Sequence, residues 1–257
     1  MYAKKTREVR LSQKEIKKKS QSSSKVEFRF IGTPRSGMNT IAKWMLSNFK
    51  GYSFYSTKPL DTIPTDTEFY TNLIKRIVTN KKNLIARNKG DSVGVGFCWD
   101  GFPIQKCIRT PSVQPTRFNV LVLRDPFNQF ASIEKTTNVW EKRNLTAREY
   151  IKLRELWISH AQVFKNKNEI WDGKVLRILF DRWVTDPDYR KEILNVASPF
   201  LGPITLDIDK KYSPTPFDNI SVMKRFDDMM KHSLVCRAIY QDTTIKTFCT
   251  KIFGWSK

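Results

Sequence analysis

Gly32 and Gly37 flank Arg35 in the stretch IGTPRSGMNT. Glycines at this spacing, between a strand and a helix, permit a turn that aims backbone N–H groups and the positive end of the helix dipole at an anion. A loop that handles nucleoside triphosphates continues with a lysine, which reaches the outer phosphates, and then a hydroxyl that holds Mg²⁺. Met38 stands where that lysine would be and can do neither job. Arg35 instead offers a permanently charged, forked donor to an oxyanion. The chemistry that fits is transfer of a group from a donor lacking a triphosphate. Taken alone, the loop also fits a purely structural strand-to-helix turn.

Such a loop works only if its flanking elements form. Residues 26–32, VEFRFIG, are a short apolar run ending at glycine, as a buried strand ends before a loop. After the loop, Ile41, Trp44, Met45 and Phe49 recur at helical spacing. Gly51 stops that helix, YSFYS is a weak second strand, and a Pro- and Thr-rich stretch covers 58–67. Residues 68–85, with Phe69, Leu73, Ile77 and Leu84, read as a helix. SVGVGFCWD (92–100) and FNVLVLRD (118–125) read as strands that each end in aspartate. The second is almost continuously apolar, which belongs to a sheet covered on both faces. Asp125 then caps, and Pro126 opens, a helix through about Lys135. Residues 145–164 form a long amphipathic helix, KVLRILF (174–180) a further strand, and 220–255 a mostly helical tail. Strands alternating with helices predict a three-layer α/β/α domain with a central parallel sheet, whose ligands sit at the carboxyl ends of the strands.

The chain has 257 residues and a net charge of +21, which calls for an anionic partner: nucleic acid, a membrane face, or a phosphorylated or sulfated small molecule. Residues 1–25 hold nine basic and two acidic side chains with little apolar content, and read as a disordered basic arm ahead of a single domain over 26–257. No apolar run has the roughly 18–20 residues of a membrane span, and the lysine-rich start lacks the apolar core of a signal peptide. The four cysteines show no CxxC spacing. Reduced thiols and a cytoplasmic location are expected.

The stretch TPRSGMNTIAKWML resembles the 5′-phosphosulfate loop of sulfotransferases that use PAPS, 3′-phosphoadenosine 5′-phosphosulfate. That loop reads Pro, Lys or Arg, Ser, Gly, Thr, Thr, and then a helix. Pro34, Arg35, Ser36 and Gly37 match it, while Met38 and Asn39 replace the two threonines whose hydroxyls help to hold the 5′-phosphate. Asn39 offers a donor in place of one hydroxyl, and Thr40 a hydroxyl in place of the other. VLVLRDPFNQFAS resembles the same family's 3′-phosphate site, where a strand ends in Arg and a Ser follows eight positions later: Arg124 and Ser132. The pair supplies a bidentate fork and a hydroxyl to one anion. LRILFDRWVTDPDYRKEILNVASPFLG resembles the family's late strand, acidic-aromatic cluster and helix. TPFDNISVMKRF resembles a downstream loop whose arginine, here Arg225 beside Lys224, lies near the nucleotide.

The resemblance extends over about 26–255 and implies a P-loop-like sulfotransferase fold, an enzyme, and transfer of a sulfuryl group from PAPS to a hydroxyl or amine without a metal. Arg35 would supply fixed positive charge where the leaving oxygen gains negative charge. Asp100 is nearest the position where one branch of the family carries its basic histidine, with Glu68 the second candidate. Asp100 before Gly101 fits a turn equally well. The basic body suits an acidic glycan as acceptor and equally suits the highly charged donor. Two alternatives have their own residues. A non-catalytic anion- or nucleic-acid-binding protein on this fold would use the basic arm. A P-loop phosphotransferase would use Asp125 to hold Mg²⁺. His160 and His232 lie on predicted helices with no motif around them and read as bystanders.

Overall fold

The computed structural model describes residues 25–56, 72, 77, 83–87, 92–100, 104, 116–137, 145–166, 171, 173–201, 206 and 234–254. Its strands are β1 (Lys25–Gly32), β2 (Tyr52–Ser56), β3 (Leu84–Arg87), β4 (Val93–Asp100), β5 (Thr116–Leu123) and β6 (Lys174–Leu179). They form one sheet in the order β3-β2-β4-β1-β5-β6. All neighbours are parallel except β2 and β3, which run antiparallel. The helices are α1 (Met38–Ser47), α2 (Pro126–Thr136), α3 (Ala147–Lys165), α4 (Phe180–Thr185), α5 (Pro187–Val196), α6 (Leu234–Gln241) and α7 (Thr243–Phe253).

Alternation along the strands separates two cores. Val26, Phe28 and Phe30 of β1 join Phe118, Val120 and Val122 of β5 on one face, under Ile41, Trp44 and Met45 of α1 and Trp183, Ile193 and Leu194 of α4 and α5. Phe28 and Phe118 stack at 5.2 Å between ring centroids. Burying each such ring contributes about 1.5–3 kcal/mol. On the opposite face Leu123 packs with Phe127 and Phe130 of α2, Trp157 and Ala161 of α3, Ile239 of α6, and Ile245 and Cys249 of α7. Helices on both faces of a mostly parallel sheet make three layers. Gly94 and Gly96 let α1 approach closely: an added Cβ would lie 3.1 Å from the Phe49 ring and 2.7 Å from Leu46 Cδ1.

The charged alternates of β1 are buried as well. Glu27 Oε1 accepts from Arg29 Nε at 2.5 Å and pairs with Arg117 Nε at 3.1 Å, with both β1 side chains fully enclosed. A charge taken out of water requires such a partner.

Four expectations need correction. The sheet is not wholly parallel, because β3 runs antiparallel on its edge. Leu84, counted as a helix-face residue, begins that strand and is 38% exposed. The strand over 174–180 stops at Leu179, and Phe180 starts α4. Lys25, assigned to the basic arm, already belongs to β1. The remainder of the arm, residues 1–24, lies outside the described residues, as do Glu68 and the start of the helical tail, 220–233. Among the described residues, no helix is long and apolar enough to cross a membrane.

Candidate anion site at the carboxyl ends of β1 and β5

β1 is the strand at which the chain's order in the sheet reverses: β2 and β4 lie to one side of it, β5 and β6 to the other. A crevice opens outside the strand ends at such a switch point. Register brings the strand ends there level, since Gly32 pairs with Val122 of β5 and with Asp100 of β4.

The loop closes on itself through Ser36 N–H, which donates to Thr33 O at 3.0 Å. Arg35 holds a left-handed backbone, φ 63°, and Gly37 follows at φ 86° as the N-cap of α1. No side chain caps this helix, and its first turn has no acidic residue. An N-terminus left in that state attracts an anion by its backbone N–H groups and its dipole. Gly37 cannot be replaced at no cost: besides its positive φ, an added Cβ would lie 2.1 Å from Cδ2 and Cε2 of Phe180. The Ser36 hydroxyl is buried and has no hydrogen-bond partner among the described residues.

The two sequence motifs meet here. Arg35 Nε donates to Ser132 Oγ at 3.1 Å across 97 positions of sequence. Arg124, two residues past Val122, donates from its guanidinium to Arg35 O at 3.1 Å. Its guanidinium carbon lies 4.9 Å from the centroid of the Phe180 ring, and its own carbonyl accepts from Trp157 Nε1 at 3.0 Å. Gln129, one turn before Ser132 on α2, donates to Thr33 Oγ1 and, at 2.5 Å, to Pro34 O. Loop, strand end and helix are therefore tied by four hydrogen bonds.

The start of α2 forms as its residues dictate: Pro126 occupies the first turn and the Asp125 carboxylate caps it, accepting Asn128 N–H at 3.1 Å. Asp125 N–H in turn donates to Asp181 Oδ2 at 2.8 Å. Burial, and then the neighbouring Asp181 charge, push the Asp125 carboxyl up from 3.8 to about 7.

The other expected residues divide. Pro34 and Thr40 are half-buried at the loop, and Asn39 is exposed, its Oδ1 accepting from Tyr55 OH at 2.5 Å. The Met38 side chain is only 3% exposed and belongs to the core, so this position brings its backbone alone to the loop. Asp100 ends β4 level with Gly32, and its side chain lies outside the described part, as does all of Arg225. His160 is enclosed on α3, with Nδ1–H donated to Leu156 O at 2.9 Å and burial pushing its imidazole down to about 4. His232 lies outside the described residues. Cys98 and Cys249 are buried thiols. Sequence reasoning missed Gln129, Phe180 and Asp181. Only Asp181 had a signal, its place in the acidic-aromatic cluster after β6.

No family model matches the chain, and no curated protein matches it at a significant level.

Proposed function

We propose that the chain is a PAPS-dependent sulfotransferase acting on a hydroxyl or amine. The single observation that carries this reading is the junction of Arg35, Arg124 and Ser132 outside the ends of β1 and β5. A donor with anionic groups on both its 5′ and 3′ positions needs two cationic forks in one crevice, and a nucleotide with only a 5′ chain does not. The open N-terminus of α1 and the buried, unsatisfied hydroxyl of Ser36 fit the same ligand class.

PAPS supplies an activated sulfuryl group on a phosphate leaving group, together with the 3′-phosphate that marks it. Arg35 places permanent charge beside the oxygen that turns anionic as the sulfur–oxygen bond to phosphate breaks. It cannot give up a proton at ordinary pH, so its contribution is charge and orientation. Arg124 and Ser132 hold the 3′-phosphate through a fork and a hydroxyl. The backbone of Gly37, Met38 and Asn39, with the Thr40 hydroxyl, faces the 5′ side, and the resemblance implies that Arg225 adds charge there. Asp100 accepts the acceptor's proton as the new bond to sulfur forms, so the acceptor leaves sulfated and the adenosine bisphosphate leaves unprotonated. An acidic glycan is the acceptor class that the charge of +21 suits.

The phosphotransferase alternative lacks its ammonium group, because a core methionine occupies that position. Calorimetric titration with adenosine 3′,5′-bisphosphate, with ATP and magnesium, and with a short oligonucleotide separates the readings. The sulfotransferase binds the bisphosphate alone, with no need of magnesium. Binding of ATP alone, or of the oligonucleotide with a steep salt dependence, contradicts the assignment.

A further inference from the structure

Phe180 and Asp181 have no part in the chemistry above, yet between them they touch Gly37, Arg124 and the turn that opens α2. The Phe180 ring lies against Gly37, where an added Cβ would come within 2.1 Å of two ring carbons. The same ring lies 4.9 Å from the Arg124 guanidinium carbon, within the distance at which a cation is held by an aromatic face. Trp183 stacks on Phe180 at 5.8 Å and meets Trp44 of α1 edge-on at 5.3 Å, so the ring is fixed from behind. Next in sequence, Asp181 accepts Asp125 N–H at 2.8 Å on Oδ2 and faces Asn128 Nδ2 at 3.5 Å with Oδ1. One dipeptide thus contacts the Gly37 loop, the arginine that follows β5, and the first turn of the helix that carries Ser132.

We propose that this corner at the carboxyl end of β6 is a positioning element, holding Arg124 and the start of α2 at a fixed place relative to the Gly37 loop. The inference rests on the nucleotide reading for its ligand and assigns no ligand contact to either side chain. An arginine has a long, freely rotating stem, and a ring beneath the guanidinium restricts where its charge points. A carboxylate that accepts a backbone N–H forms one of the stronger hydrogen bonds in a protein, which suits Asp181 to fixing the turn after Arg124. The Arg124 charge would then keep a fixed place relative to the 5′ loop, whose Arg35 carbonyl it meets at 3.1 Å.

The test uses Phe180→Leu, Asp181→Ala and Asp181→Asn in the full chain, each titrated with adenosine 3′,5′-bisphosphate and adenosine 5′-monophosphate. Preference for the bisphosphate should fall about tenfold in Phe180→Leu and in Asp181→Ala. Asp181→Asn keeps an oxygen for Asp125 N–H and should retain most of the preference. In an Arg124→Ala background Phe180→Leu should cost nothing more, since the ring acts through that side chain. An unchanged preference in Phe180→Leu or Asp181→Ala, or a Phe180→Leu loss that adds to that of Arg124→Ala, overturns the proposal. If the wild type shows no preference for the bisphosphate, the nucleotide reading fails by itself, and the corner is then judged on the ligand-free protein. The Nε–Hε resonance of Arg124 should carry a ring-current shift that disappears in Phe180→Leu. A resonance that stays in place overturns the positioning role. Asp181→Ala supplies the same readout, through exchange of the Asp125 amide, if Phe180→Leu does not fold: faster exchange supports the role and unchanged exchange overturns it.

Discussion

Gly37→Ala tests whether the loop is seated as described. The residue has φ 86°, and a Cβ there would sit 2.1 Å from two carbons of Phe180. Left-handed backbone costs an alanine about 1–2 kcal/mol. The clash adds about 1–3 kcal/mol, the usual range for forcing extra volume into a packed site. Phe180 cannot swing aside, because Trp183 stacks on it and Arg124 lies over it. The variant should therefore lose about 2–5 kcal/mol in urea denaturation. Phe180→Ala removes the obstacle but forfeits its own burial, about 3–5 kcal/mol. The double variant should fall short of the sum of the two losses by about 1–3 kcal/mol, the part owed to the clash. A Gly37→Ala protein within about half a kcal/mol of wild type, or strict additivity in the cycle, would refute this packing.

Arg124→Ala should weaken binding of adenosine 3′,5′-bisphosphate by about 10–100-fold and leave 5′-monophosphate binding nearly unchanged in a calorimetric titration; equal losses contradict the 3′ site. Asp100→Asn should reduce the turnover rate and spare donor binding, as expected of a base; unchanged turnover moves the base elsewhere. Asp125 is raised from 3.8 to about 7, so between those values the native chain holds a proton that the unfolded chain has lost, and stability falls as pH rises through that window. Asp125→Asn keeps the cap without ionising, and above about pH 7 should be more stable than wild type by up to about 4 kcal/mol; parallel stability profiles for the two proteins from about pH 4 to 8 would contradict it. Glu27→Ala removes the carboxylate shared by the buried Arg29 and Arg117, and should cost about 3–5 kcal/mol in denaturant melts; a loss under about 1 kcal/mol would mean that the cluster is hydrated.

The sequence disclosed best what depends on neighbours in the chain. Gly32 and Gly37 mark a turn, the apolar run of β5 marks a buried strand, and Asp125 with Pro126 marks a helix start; the turn and the helix start formed as read, while β5 lies two residues earlier at both ends, Thr116–Leu123 rather than 118–125. β3 escaped because four residues are too few to establish a period, and Leu84 happens to fall at helical spacing from Ile77. Phe180 escaped as the last apolar residue of a strand-like run, its turn into α4 being set by packing against Gly37 and Trp183 rather than by its own type. Gln129 and Asp181 are ordinary surface residue types, and their bonds to Pro34 and Asp125 span 95 and 56 positions. No local pattern encodes a contact of that separation. Met38 gave the opposite lesson: it holds a place in the loop motif, while its hydrophobic side chain joins the core, as removal of apolar surface from water favours.

A crystal structure of the protein with adenosine 3′,5′-bisphosphate would settle whether the loop and the end of β5 form one site. The arrangement requires the guanidinium groups of Arg35 and Arg124 on the same nucleotide, the first at its 5′-phosphate and the second, with Ser132, at its 3′-phosphate. A bisphosphate bound elsewhere, or either guanidinium turned out of the crevice, would contradict it.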